Sequence, residues 1–315
     1  MDERVNGAAG GRRWTACGAS VTGSEHRRRG LGCDDAYSYG ILGDFAVATV
    51  ADGAGSVTGT SAWGAYVACR GVLKDAMNPA FIDSYSSGSS TDAEILVRVL
   101  FDGALHRVRR QAEAMGLDVA LLSTTLSVAV TDTRLATFAQ IGDGIIATER
   151  DGVIETLLAE HKQEYANTTS FLQSEGALEG SLRTAGHEDV TAIALSTDGM
   201  SYKITDVTTG AAYQPFFRGS WQHLRDGAQS DQLQAMLDGI RDDQTGDDKT
   251  LVLVARCADA EWAGTEALRW AHSGSPGSPP GSAPSVTVGR PDDATVTDSG
   301  AGRSRSRSRW GRWLR

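Results

Sequence analysis

Apolar residues fall along this chain with two kinds of period, sorting it into strands, then two long helices, then strands again. Residues 14–21 predict a first strand, and residues 36–42 and 45–51 predict a hairpin around Gly43-Asp44. The run Val47-Ala48-Thr49-Val50-Ala51 is largely apolar and stops abruptly on Asp52-Gly53-Ala54-Gly55-Ser56. Such a run predicts a buried strand, and the glycines after it let the chain turn where a side chain would collide. Thr60 or Ser61 is placed to cap a helix to about residue 77, with Ala62, Tyr66, Cys69, Leu73 and Met77 on one face. A Ser/Gly loop is expected over 78–90. Thr91 and Glu94 then form a capping-box pattern for a helix to about residue 115, buried along Leu96, Leu100, Ala104, Val108, Ala112 and Met115.

The pattern then switches period. Residues 123–131 alternate, with Leu126, Val128 and Val130 on one side, which predicts a half-buried strand. Strands at 134–141, 145–149 and 153–158 follow, the last two joined by the hairpin signal Asp151-Gly152. Four strands on short turns predict an antiparallel meander rather than a parallel, doubly wound sheet. Residues 159–188 are less regular. Residues 190–196 form another strand ending on Thr197-Asp198-Gly199, and Ser230 is expected to cap a short helix with Leu233, Met236, Leu237 and Ile240 inside. Residues 251–255 predict a wholly apolar strand, and 259–271 a last helix packed on the outside.

At 315 residues the chain can bury a sizeable core. From residue 273 its composition shifts to Gly, Ser, Pro and Asp. That shift divides it into a flexible start (1–12), one folded domain (13–272), a disordered linker (273–302) and a basic tail (303–315). A net charge of −10 argues against a general nucleic-acid binder, because a phosphate backbone attracts basic surfaces. Arg303, Arg305, Arg307, Arg309, Arg312 and Arg315 nonetheless crowd the tail beside Trp310, Trp313 and Leu314. Blocks of like charge are commonly just solvated, but the interleaved tryptophans suit contact with an anionic membrane, an acidic partner or the acidic domain itself. Cys17, Cys33, Cys69 and Cys257 lack metal-type spacing, and neither a secretory leader nor an apolar run near twenty residues is evident. Reduced thiols in a soluble, cytoplasmic protein are therefore expected.

The candidate chemistry lies in where the acids fall. Asp34 and Asp35 open a strand, Asp52 and Asp198 each end one, and Asp247 and Asp248 open another. Singly, each is an ordinary turn or cap residue. Together they can bring several carboxylates to one place, where they do not all stay ionised unless cations sit between them. Oxygen ligands without His or Cys suit Mg²⁺ or Mn²⁺ rather than Zn²⁺. Two such ions about 3.5–4 Å apart can activate a shared water for attack on a phosphoester.

The series Cys33-Asp34-Asp35-Ala36, Val50-Ala51-Asp52-Gly53, Ser123-Thr124-Thr125, Ile141-Gly142-Asp143-Gly144, Ser196-Thr197-Asp198-Gly199 and Asp247-Asp248-Lys249-Thr250 resembles the metal-dependent PP2C-type Ser/Thr protein phosphatases. The bacterial branch is the nearest in pattern, and the match spans about residues 14–257. The resemblance implies an α+β fold, a four-layer αββα sandwich of two antiparallel sheets flanked by helices. It also implies phosphoester hydrolysis with two Mn²⁺ or Mg²⁺ ions, on a phosphorylated protein such as a Ser/Thr kinase or its target. By the same resemblance Asp52 bridges both metals, Asp198 and Asp247 hold one, and Gly53 offers its carbonyl to the other. Asp34 and Asp35 act mainly through metal-bound waters, and Asp143 stands where a weaker third ion binds. The implied catalytic set is Asp35, Asp52, Asp198 and Asp247. Gly30 takes the place of the family's phosphate-binding arginine, so that role passes to Arg27, Arg28 or Arg29, whose guanidinium suits the anion.

Two departures from the family pattern stand out. Ala54 replaces a His that many relatives use as a general acid, and Tyr202 stands where an acidic ligand of the third ion is often found. His26 is then a candidate proton donor, although a lone loop His is more often simply exposed. The same departures motivate a second function, a catalytically weak relative that binds a kinase or phosphoprotein as a regulatory module.

Overall fold

The structure, a computed structural model, describes residues 13–54, 59–158, 169–206, 208–240, 244–257, 268–276 and 285–288. Its first half comprises β1 (Arg13–Val21), α1 (Ser24–Arg28), β2 (Ala36–Leu42), β3 (Phe45–Ala51), α2 (Ser61–Ala76), α3 (Pro79–Ser87) and α4 (Ser90–Met115). Then follow β4 (Leu126–Thr131), β5 (Leu135–Ile141), β6 (Ile145–Arg150), β7 (Val153–Leu157), α5 (Ala177–Gly180), β8 (Arg183–Glu188) and β9 (Val190–Ser196). The last part holds α6 (Ser201–Ile204), α7 (Gln214–Arg225), α8 (Ser230–Asp238), β10 (Lys249–Cys257), β11 (Leu268–His272) and β12 (Ser285–Val288).

These strands make two antiparallel sheets, one ordered β1-β10-β9-β6-β7 and the other β12-β11-β2-β3-β4-β5-β8. Val50, Phe138, Ile146, Leu195 and Val252 fill the space between them. Helices α2 and α4 cover the outer face of the larger sheet through Ala65, Ala68, Val72, Leu100, Phe101 and Val108. Helices α7 and α8 cover the smaller one through Phe217, Trp221, Leu233 and Leu237, and the Trp221 indole donates to the Ile193 carbonyl at 3.0 Å. The result is the four-layer αββα sandwich that the resemblance implies. Its layering explains why β4 is buried along its whole length rather than half-buried: one face meets the helices and the other meets the second sheet.

The meander expected over 123–158 is split between the two sheets. β4 pairs with β5 and β6 with β7, but at Gly142-Asp143-Gly144 the chain crosses from the larger sheet to the smaller. Gly142 takes φ 103°, and a Cβ there would lie 2.5 Å from the Thr125 side chain. Only glycine tolerates that corner.

Several local expectations are corrected. The basic loop holds α1, and the Ser/Gly loop at 78–90 holds α3. The Asn78 side chain caps α3 by accepting from the Ala80 amide at 3.0 Å, with Pro79 in the first turn. The capping box of α4 uses Ser89 and Asp92, not Thr91 and Glu94; Glu94 instead accepts from the Thr184 hydroxyl at 3.0 Å. No element was expected where α7 and β8 lie. The predicted helix at 259–271 is contradicted at its end, where β11 pairs with β2; residues 258–267 lie outside the described residues. Strand β12 falls inside the expected linker. The remainder of that linker, the start before residue 13 and the Arg/Trp tail lie outside the described residues. All four cysteines are free, Cys17 and Cys69 deep in the core. Among the described residues no helix is long and apolar enough to cross a membrane.

Candidate metal centre

Asp52 follows β3 of the larger sheet, whereas Asp198 follows β9 and Asp247 precedes β10 of the smaller. Distant in sequence and borne on different sheets, these three acids converge. One carboxylate oxygen from each lies within 4.8 Å of the other two.

The backbone of Asp52 is held by the Ser123-Thr124-Thr125 segment. Its amide donates to Thr125 Oγ1 at 3.0 Å, and its carbonyl accepts from the Thr125 amide at 2.9 Å and Thr124 Oγ1 at 3.0 Å. That motif therefore clamps the end of β3, leaving the Asp52 carboxylate to face its neighbours. Gly53 follows with its amide on the Asp34 carbonyl at 3.2 Å. A Cβ at Gly53 would approach that same oxygen to 2.6 Å, so the close backbone crossing requires glycine. Asp198 opens a 3-10 turn, Asp198–Met200, that lies flat against the Asp248 backbone. Asp247 is fixed by its own neighbour, the Asp248 amide donating to its Oδ1 at 2.8 Å.

Asp34 and Asp35 reach the same region but stand outside the triad. Asp34 Oδ2 accepts from the Ser61 hydroxyl at 2.7 Å, and Asp35 Oδ2 from Thr197 Oγ1 at 2.7 Å. Burial, followed by the charges of Asp35, Asp198 and Asp247, pushes the Asp52 carboxyl well above its ordinary range. Asp35 is likewise raised, by burial and then by Asp248, against the opposing hydroxyls of Thr197 and Thr250. Asp34 and Asp247 are raised as well, burial being the largest cause in each. A group of acids that raise one another is a site short of positive charge. Its donors are all oxygen, so it fits a hard divalent cation such as Mg²⁺ or Mn²⁺. Lys249 adds some compensation, its Nζ donating to the Asp247 carbonyl at 3.2 Å.

Other candidates stand elsewhere. Asp143 accepts from Thr169 Oγ1 at 3.0 Å and joins no metal-holding group among the described residues. Arg27 pairs with Asp238 at 2.5 Å and Arg28 with Glu25 at 2.6 Å, both on the surface, while Arg29 is exposed and forms no ion pair among the described residues. Tyr202 is 49% exposed on α6. The expectation of an exposed His26 is corrected: the ring is buried, with Nδ1 2.9 Å from Asp248 Oδ2. Asp248 itself, expected only as a strand-opening acid, accepts from the Gly23 amide at 2.6 Å and the Asp34 amide at 2.5 Å. Nothing in sequence spacing links His26 to Asp248, which are 222 residues apart.

A family model described as Protein phosphatase 2C matches residues 22–238. The chain belongs to the protein phosphatase 2C family. Among solved structures, a bacterial serine phosphatase is similar to this family member at 14% identity and a TM-score of 0.54, over 76% of this chain and 96% of that one. The S. agalactiae serine/threonine phosphatase is similar at 14% identity and a TM-score of 0.54, over 77% of this chain and 99% of that one. At such identities the likeness speaks for the fold. No curated protein matches the chain. The protein phosphatase 2C fold thus joins the two sheets at the place where Asp52, Asp198 and Asp247 meet.

Proposed function

We propose that this protein phosphatase 2C family member hydrolyses phosphoserine or phosphothreonine in a protein substrate, with two Mn²⁺ or Mg²⁺ ions as cofactors. The observation behind this reading is the convergence of Asp52, Asp198 and Asp247 from two sheets to within 4.8 Å. In it, Asp52, Asp198, Asp247 and the Gly53 carbonyl would hold the ions, with Asp52 the ligand common to both. Bound divalent ions supply an activated water and neutralise charge on the phosphoryl group. The chain's own contribution is placement. Ser61 and Thr197 fix the carboxylates of Asp34 and Asp35, and the Thr124-Thr125 clamp fixes Asp52. Of the three arginines, Arg29 is assigned to the substrate phosphate, because Arg27 and Arg28 are already paired with Asp238 and Glu25. Asp143 is assigned no ion, because it joins no metal-holding group among the described residues.

The test is hydrolysis of a phosphoserine or phosphothreonine peptide by the full chain. Mn²⁺-dependent release of phosphate that disappears in EDTA and in Asp198→Asn is the expected result; activity that survives both sinks the proposal. A second reading, a regulatory module that binds a kinase or phosphoprotein with little turnover, is favoured by Ala54, which offers no proton to a leaving group, and by the exposed Tyr202. Tight phosphopeptide binding without phosphate release selects it.

A further inference from the structure

The buried carboxylate of Asp248 has a different task from its neighbours, because hydrogen-bond donors converge on it from three directions. The Gly23 amide meets Oδ1 at 2.6 Å, the Asp34 amide meets Oδ2 at 2.5 Å, and the His26 ring lies 2.9 Å from the same Oδ2. Both side chains are almost fully shielded, at 8% exposure for His26 and 1% for Asp248. Amides only donate and a carboxylate accepts, so the His26 proton facing Asp248 sits on Nδ1. All these donors belong to the segment from Gly23 to Asp34, the stretch that connects β1 to β2.

Backbone contacts lay that segment on the loop before β10. The Glu25 amide donates to the Gly246 carbonyl at 2.9 Å, and the Leu31 amide closes the segment on the His26 carbonyl at 2.9 Å. A Cβ at Gly23 would come within 2.3 Å of the Asp247 carbonyl carbon, so the two backbones touch. Asp248 thus ties together two members of the acidic site, Asp34 through its amide and Asp247 through the peptide they share.

We infer that His26 is a positioning residue of the metal centre, gripping Asp248 so that Asp247 and Asp34 present their carboxylates in register with Asp52 and Asp198. The inference rests on the phosphatase reading above. His26 is not one of the grouped carboxylates; it acts through Asp248, as ligand-orienting partners do at other metal sites. An exposed loop histidine has no such reach. Here α1 exists to deliver the ring: Ser24–Arg28 makes little more than one turn, and His26 is the buried residue within it.

Full-length protein stripped with EDTA and titrated with Mn²⁺ by calorimetry tests this, alongside turnover of a phosphopeptide over a range of Mn²⁺ concentrations. His26→Ala should weaken Mn²⁺ binding by roughly 10–100-fold, the usual loss for a group that orients ligands. The Mn²⁺ concentration for half-maximal turnover should rise in step, while kcat at saturating Mn²⁺ falls less. His26→Asn, whose amide can reach the place of Nδ1, should restore most of the affinity, whereas His26→Phe, with similar bulk and no donor, should not. Should His26→Ala fail to fold, the Asn and Phe variants decide. Wild-type affinity in His26→Ala or His26→Phe overturns the inference alone. Asn and Phe variants equally impaired in Mn²⁺ binding overturn it too, since bulk and not the hydrogen bond would then matter. A wild-type chain that binds no Mn²⁺ overturns both this inference and the phosphatase reading.

Discussion

Asp52→Asn keeps the shape of the side chain and removes its charge, and its consequences differ in sign with and without metal. The three carboxylate oxygens of the triad lie within 4.8 Å of one another. At that separation two ionised carboxylates repel by about 3.5 kcal/mol at an effective dielectric of about 20, and by about 0.9 kcal/mol if water fills the gap. Asp52 faces two such neighbours. Without metal it escapes part of the repulsion by holding a proton, which is why burial and the adjoining acids raise its carboxyl so far. The amide removes that strain outright. Metal-free Asp52→Asn should therefore be more stable than the metal-free wild type at pH 7.5, by about 1–3 kcal/mol on this Coulomb scale. At roughly 2–4 °C per kcal/mol for a domain of this size, its Tm in EDTA should rise by several degrees.

Excess Mn²⁺ reverses the order. At about 100 times its Kd a ligand stabilises the native state by about 2.7 kcal/mol, which the wild type should gain and the variant largely lose. Differential scanning fluorimetry in EDTA and in Mn²⁺ reads both halves, with phosphopeptide turnover as a third measurement. The reasoning is refuted if Asp52→Asn melts no higher than the wild type in EDTA and also shifts as far with Mn²⁺. Asp52 would then be an ordinary turn residue.

Three further outcomes follow from the same geometry. The raised carboxyls of Asp35 and Asp52 mean that the folded, metal-free protein binds more protons than the unfolded chain between the ordinary aspartate pKa, about 3.9, and the raised values. Stability in EDTA should accordingly fall as pH rises through that window, so Tm should be higher at pH 5.5 than at pH 8, and excess Mn²⁺ should flatten or invert the trend. An unchanged slope with and without metal contradicts the assignment. Arg29→Ala should raise KM for a phosphopeptide about tenfold, the scale of a lost charge-assisted bond, while Arg27→Ala and Arg28→Ala leave it within about twofold; equal effects from all three would remove Arg29 from the site. Tyr85→Phe strips a buried hydroxyl that lies 2.8 Å from the Val130 carbonyl and 2.9 Å from Thr137 Oγ1. It should cost about 1–3 kcal/mol in urea denaturation and leave phosphopeptide turnover per folded molecule intact.

The long elements were legible because α2 buries a face whose spacing its own residues declare, while β3 and β9 are near-continuous apolar runs buried on both sides. Where the prediction failed, the deciding contact came from elsewhere in the chain. Nothing within 78–90 says that Tyr85 reaches across to β4 and β5, and that burial is what makes α3 worthwhile. The four strands after residue 123 were legible as strands but not as two pairs in two sheets, since a short turn and a crossover look alike unless one knows that Gly142 packs on Thr125. By contrast, α7 did leave a signal: Phe216, Phe217, Trp221 and Leu224 recur at helical spacing behind Pro215.

The acidic site divides in the same way. Asp52, Asp198 and Asp247 could be picked out because each sits beside glycine or another acid at a strand end, where a chain turns and a carboxylate is left facing outward. Asp248 satisfies that description equally well, yet its lone pairs are consumed by Gly23, Asp34 and His26 instead of joining the triad. Asp247 and Asp248 lie just before β10, and their carboxylates part: Asp247 joins the triad, and Asp248 turns to the Gly23 and Asp34 amides. If one carboxylate looks into the metal centre, the other looks into protein, and a buried carboxylate needs donors of its own. Asp247-Asp248 is therefore better understood as one ligand and one anchor than as two ligands. Asp34-Asp35 differs: both carboxylates stand outside the triad, and each accepts from a hydroxyl, of Ser61 on α2 and of Thr197 after β9. Hydrogen bonds from the scaffold thus hold Asp34, Asp35 and Asp248, which is how a cluster of mutually repelling groups stays folded before any cation arrives.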